Sequence, residues 1–136
     1  MTLDADRHSI VPGMQDFKHI VAWQRAHGLA MALHGATRGF GRLGHAHLRA
    51  QLLGAAQSVA ANIVEGCGAA SSREFARFLD VSIKSANETE YHLLSARDLR
   101  LLTQQVWTGY AGEIVEIRKM TYTYRQRVLK GPAWEL

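Results

Sequence analysis

The sequence predicts an all-α chain folded as an antiparallel up-down four-helix bundle, on three observations. Both prolines, Pro12 and Pro132, lie near the ends, so about 120 residues between them carry no helix breaker of that kind. Glycine- and serine-containing stretches at RGFGRLGH (38–45) and GCGAASS (66–72), with LTQQ (102–105) as a weaker break, cut that span into four segments. Each segment repeats apolar residues at the three- and four-residue steps of a helix face. Long helices joined by short breaks pack as antiparallel neighbours around one core.

The bounds are those of one domain: 136 residues, 47% of them hydrophobic, are enough for a single core. Residues 1–16 read as a mobile leader, 17–130 as the bundle and 131–136 as a tail, with Met14 a candidate alternative start. A single cysteine, Cys67, excludes an intrachain disulfide framework and favours a reducing compartment, the cytoplasm by default. The first residues lack an apolar export segment, and no uncharged apolar run is long enough to cross a bilayer, so no membrane role is expected. Lys and Arg outnumber Asp and Glu by 16 to 12, an excess that permits an acidic partner without requiring one.

The first helix, about 17–37, places Ile20, Trp23, Ala26, Ala30 and Leu33 on one face, with His27 and His34 beside them. The second, about 46–66, has apolar residues over half its circumference, yet its other half carries no charge between Arg49 and Glu65. There Gln51, Ser58, Asn62 and Glu65 form a narrow seam flanked by Gly54 and Ala61. An exposed helix would normally show Lys and Glu at such positions, so a further surface, most simply another copy of the chain, is expected to cover it. The glycines that follow, Gly66 and Gly68, read as a helix C-cap and not as a phosphate loop, because they follow a helix and not a strand. The third helix, about 72–101, opens on the capping pattern Ser71-Ser72-Arg73-Glu74 and stacks Phe75, Leu79, Ile83, Ala86, Leu93 and Leu101. The fourth, about 104–130, repeats Val106, Tyr110, Ile114, Ile117, Thr121, Tyr124 and Val128, close to a seven-residue period.

These residues carry a resemblance. Phe17, Trp23-Gln24-Arg25-Ala26, Gln51-Leu52, the run from Ala55 to Gly66 with its Asn62-Ile63-Val64-Glu65-Gly66 core, Ser71, Arg73-Glu74-Phe75, Ser85 and Glu88 to Glu90 resemble the bacterial four-helix-bundle proteins encoded in intervening sequences of 23S rRNA genes. The resemblance implies a small cytosolic protein that assembles as a homopentamer of four-helix bundles and associates with nucleic acid, in a family with no established enzymatic activity. More distantly it implies kinship with accessory proteins of diversity-generating retroelements, which associate with a reverse transcriptase and RNA. Leu53-Gly54 stand where the family commonly has arginine, so contacts that relatives make there do not carry over.

Glu90 falls within the third helix's apolar stripe, interrupted again at Arg97, and a buried carboxylate needs a partner. Arg97, His27, His34 and the Ser58/Asn62 seam are the candidates, and the expected role is a structural polar network, not catalysis. No catalytic residue, metal site or cofactor is expected. Di-iron bundles need two Glu-x-x-His motifs, whereas Glu88 and His92 are four apart and occur once, and His45-x-His47 reads as a solvated loop pair.

Basic residues gather at Arg118, Lys119, Arg125, Arg127 and Lys130 late in the fourth helix, and at Arg38, Arg42 and Arg49 around the first loop. Of these, Arg42, Arg49, Arg118, Lys119, Arg125, Arg127 and Lys130 are the candidate contacts to RNA or DNA. Such contacts would be sequence-independent and multiplied by oligomerisation. The alternative is a scaffold that docks a protein partner, such as a reverse transcriptase, without touching nucleic acid itself.

Overall fold

The computed structural model describes residues 15–130; the expected leader up to residue 14 and the expected tail over 131–136 lie outside the described residues. Asp16 Oδ1 accepts a hydrogen bond from Lys18 N at 3.0 Å and caps a 3-10 turn, Phe17–His19. Four helices follow: α1 (Val21–Ala36), α2 (Ala46–Cys67), α3 (Ser72–Asp98) and α4 (Gln104–Leu129). Among the described residues there is no strand.

Cross-helix contacts fix the topology. Gly66 meets Phe75 while Ser58 meets Ser85, so α2 and α3 run antiparallel. Asp80 meets Arg125 while Glu90 meets Arg118, so α3 and α4 do the same. α1 completes the ring, tied to α2 through Thr37 and Arg49 and to α4 through Arg25 and Glu113. Its contact with α4 is the weakest of the four between helices.

The core has two connected regions. One gathers Leu33, Leu52, Val59, Leu93, Ile114 and Ile117, and the other Ile63, Phe75, Leu79 and Val128. Burying a side chain of this kind contributes about 1.5–3 kcal/mol, which makes these residues the main stabilising element of the bundle. α3 departs from a purely apolar stripe: Ser82, Ser85, Thr89 and His92 are buried with it. Three of them are satisfied through short hydroxyl bonds. Ser82 Oγ donates to Val59 O across the α2–α3 interface, Thr89 Oγ1 donates to Ser85 O at 2.8 Å, and Ser85 shares a 2.8 Å hydrogen bond with Ser58.

The helix ends correct two expectations. Gly66 lies inside α2, buried, and Gly68 at its end has φ −90°, so neither supplies a left-handed cap. A Cβ on Gly66 would stand 2.6 Å from Phe75 Cδ1; the glycine lets α2 and α3 close onto each other. α3 stops at Asp98, short of the expected 101, because Arg100 takes φ +61°. Leu101 N then bonds Ala96 O and Arg100 N bonds Arg97 O, both at 2.9 Å, closing a Schellman motif with arginine where glycine is usual. At the start of α3, Ser71 Oγ accepts from Glu74 N at 3.1 Å and Glu74 Oε2 accepts from Ala70 N at 2.8 Å.

Candidate nucleic-acid interface

Up-down topology brings the α1–α2 loop and the α3–α4 loop to one end of the bundle, where Phe40 and Leu102 join the same apolar cluster. Phe40 is the plug of the first loop. His45 N donates to Phe40 O at 2.8 Å, Phe40 N donates to Thr37 O at 3.0 Å, and Gly44 takes φ +84° to let the chain enter α2. Thr37 is buried, donates to Leu33 O at 2.7 Å and accepts from Arg49 Nε at 3.0 Å, while Arg49 Nη2 reaches His34 O at 3.2 Å. Arg49 therefore clamps the loop.

Anchored in this way, the loop holds Arg38 and Arg42 exposed, and the neighbouring loop holds Arg100 exposed. Arg97 lies over the Trp107 ring at 4.5 Å and bonds Asp98 Oδ1. Among the described residues Asp98 is the one acid at this end, against Arg38, Arg42, Arg49, Arg97 and Arg100. The opposite end mixes signs, with Lys18, Arg73, Arg77 and Lys130 interspersed with Asp16, Glu65, Glu74 and Asp80.

The arginines of α4 are differently placed. Arg118 Nη1 donates to Glu90 Oε1 at 2.6 Å and to Asn87 Oδ1 at 2.9 Å. Arg125 Nε donates to Asp80 Oδ1 at 2.6 Å. Both face α3 as cross-helix ties and so offer little to a phosphate. Lys119 is exposed within 3.7 Å of Glu116, Arg127 lies over the Tyr124 ring at 5.7 Å, and Lys130 is exposed. Helical spacing could have found these ties, since Asp80, Asn87 and Glu90 recur on α3 at the steps that face Arg125 and Arg118 on an antiparallel neighbour.

Glu90 is thus corrected: it is partly exposed and paired with Arg118, not sunk in the core, and Arg97 is engaged elsewhere. The helix turns its true core edge toward Thr89, His92 and Leu93. His27 is exposed and stacks on Trp23 at 5.0 Å, and His34 Nε2 lies 3.3 Å from Gln57 Nε2, so neither reaches Glu90. Within the α2 seam, Asn62 Nδ2 donates to Ser58 O and Oγ, so these two residues join Ser85 in a half-buried network. Gln51 and Glu65 are exposed. Cys67 is buried, and burial pushes its thiol up to about 11, which makes it a poor nucleophile. Among the described residues no group of three or more His, Cys, Asp or Glu side chains is placed to hold a metal, and no helix is long and apolar enough to cross a membrane.

Comparison with known proteins places the chain. No curated protein matches it. A crystal structure of a protein of unknown function from the S23 ribosomal protein family of Bacteroides thetaiotaomicron superposes with a TM-score of 0.73 at 23% identity, over 78% of this chain and 96% of that one. The model of the 23S rRNA-intervening sequence proteins matches residues 18–123, which takes in all four helices apart from the end of the last. The chain therefore belongs to the 23S rRNA-intervening sequence protein family.

Proposed function

We propose that this protein is a non-enzymatic, cytoplasmic helical scaffold that assembles as a homo-oligomer, a pentamer by family resemblance, and binds RNA or DNA without sequence preference. The observation that carries the reading is the arginine-bearing loop end: Arg38, Arg42 and Arg100 are exposed on two anchored loops with Asp98 as the one nearby acid among the described residues. Phosphates are drawn to such a surface, and guanidinium forks match their oxygens in pairs. A ring of subunits would present several copies to one strand, so modest single-site affinity becomes firm binding. The family's association with an rRNA intervening sequence and the neighbour's placement in a ribosomal protein family agree with an RNA partner.

The test is binding of unrelated RNA and DNA oligomers to the purified protein, followed by fluorescence anisotropy across a salt series. Wild type should bind all of them comparably and lose affinity steeply with salt. The triple variant Arg38→Ala/Arg42→Ala/Arg100→Ala should bind more weakly by a similar factor on every oligomer, with the log–log salt slope shallower by about one for each lost contact. No binding by wild type at low salt would favour the second reading, a protein-docking scaffold. That reading draws on Val81 and Tyr91, which α3 leaves 42% and 63% exposed.

A further inference from the structure

Phosphate attraction accounts for the arginines of the loop end but not for what stands beside them. Arg42 is followed by Leu43 and Arg100 is preceded by Leu99, and the two leucines are 65% and 50% exposed. A single exposed leucine is ordinary on a protein surface. Here one adjoins the exposed arginine on each of the two loops, so the same pairing of charge with apolar surface occurs twice at one end.

At the same end the guanidinium of Arg97 is held in a fixed plane. The Trp107 ring of α4 covers one face, with its centroid 4.5 Å from Cζ, while Nε and Nη2 both donate to Asp98 Oδ1, at 3.0 and 2.9 Å. The indole is itself packed against the core cluster, which steadies the seat. Its Nε1 is buried without a hydrogen-bond partner among the described residues. A phenylalanine would fill the place without burying an unpaired donor, whereas indole is the strongest ring for seating a cation. The Arg97 side chain stays 35% exposed, on the side away from the ring.

We infer that Arg97, seated on Trp107, is a stacking platform for an unpaired base, and that the nucleic acid bound at this end is single-stranded. A duplex turns its phosphates outward and keeps its bases inside, so it would meet the arginines and leave the leucines and the platform unused. An unpaired strand presents both parts: its phosphates go to Arg38, Arg42 and Arg100, and its bases settle on the guanidinium plane and against Leu43 and Leu99. Every base has a π face, so stacking of this kind reads no sequence. The inference rests on the nucleic-acid reading above and narrows its ligand to strands with unpaired bases.

Fluorescence anisotropy with labelled oligouridine, oligodeoxythymidine and an RNA duplex of equal length tests it, on wild type, Arg97→Lys and Leu43→Ser/Leu99→Ser, with circular dichroism to verify helical content. Both single strands should bind wild type more tightly than the duplex does, and the tighter of the two identifies the sugar that fits. Arg97→Lys keeps the charge but loses the plane, so it should weaken single strands by about five- to tenfold while the salt slope and duplex affinity stay as in wild type. The leucine double variant should weaken single strands in the same selective way. Duplex bound as tightly as single strands, or an Arg97→Lys protein that binds oligouridine as wild type does, would overturn the platform while leaving nucleic-acid binding standing. Wild type that floats with phosphatidylserine vesicles, in a manner lost with the two leucines while oligouridine affinity is unmoved, would overturn it in favour of a lipid surface. No binding of any of the three oligomers at low salt would overturn both readings.

Discussion

Phe75 sets its ring against the α2 backbone so closely that a Cβ on Gly66 would stand 2.6 Å from its Cδ1 and 2.8 Å from its Cε1. Phe75 is fully buried, so the ring has nowhere to retreat. Gly66→Ala gains up to about 1 kcal/mol of helix propensity, yet overpacking costs about 1–3 kcal/mol, and the net effect should be destabilising. Combining it with Phe75→Leu should cost less than the sum of the two single changes. Urea midpoints of the four proteins check this, and additive costs would show that the contact is not the constraint.

Arg118 and Arg125 should act on stability and not on nucleic-acid affinity. Their ion pairs with Glu90 and Asp80 are partly exposed, so Arg118→Ala and Arg125→Ala should each cost about 0.5–1 kcal/mol. RNA affinity and salt slope should stay near wild type. A loss of affinity in an intact Arg118→Ala protein would return the phosphate contacts to α4.

Arg100 holds φ +61°, a conformation that costs a non-glycine residue about 1–2 kcal/mol. Arg100→Gly should therefore raise the melting temperature and at the same time weaken RNA binding. Opposite signs in the two measurements separate a strained binding residue from an inert one. A variant that is more stable and binds RNA as wild type does would remove Arg100 from the interface.

Arg25 holds the Glu113 carboxyl below its ordinary value, chiefly through their side-chain hydrogen bond. A carboxyl lowered on folding adds stability above its unfolded value, near 4.5, and that stability is lost as pH falls through the lowered folded value. Because the pair is partly exposed, its contribution should be about 0.5 kcal/mol. The stability difference between wild type and Glu113→Gln should be full at pH 7 and shrink as pH falls below the unfolded carboxyl value and through the lowered folded one. A difference that does not shrink on acidification would mean that shape, not charge, sets the contribution.

The all-α architecture was legible because apolar periodicity over such long segments has one economical solution. What escaped the sequence was of two kinds. Ser82, Ser85 and Thr89 are not in the apolar stripe that the sequence shows for the third helix, but each hydroxyl bonds a backbone carbonyl or a serine partner and so enters the core at little cost. Glu90 read as core because one stripe cannot locate its own edge. The pairing with Arg118 depends on how α3 and α4 meet, which no single helix encodes. For the candidate interface, the arginines of the first loop were visible in sequence, but the weight of that end was not. It needed the second loop, and with it Arg100, to be folded back beside the first.

The row of hydroxyls on α3 also acts as a ratchet against slippage. An apolar interface of alanines and valines could slide by one turn with little penalty, but sliding α3 along α2 would pull Ser82 from Val59 O and Ser85 from Ser58 together. Each stranded buried hydroxyl costs about 1–3 kcal/mol, so axial drift between the two helix pairs is barred. The pair α1–α2 ends in the loop of Arg38 and Arg42, and the pair α3–α4 turns through Arg100. With the pairs unable to drift, these guanidinium groups keep a set relative height, so under the proposed function a strand's phosphates would meet a template laid down during folding.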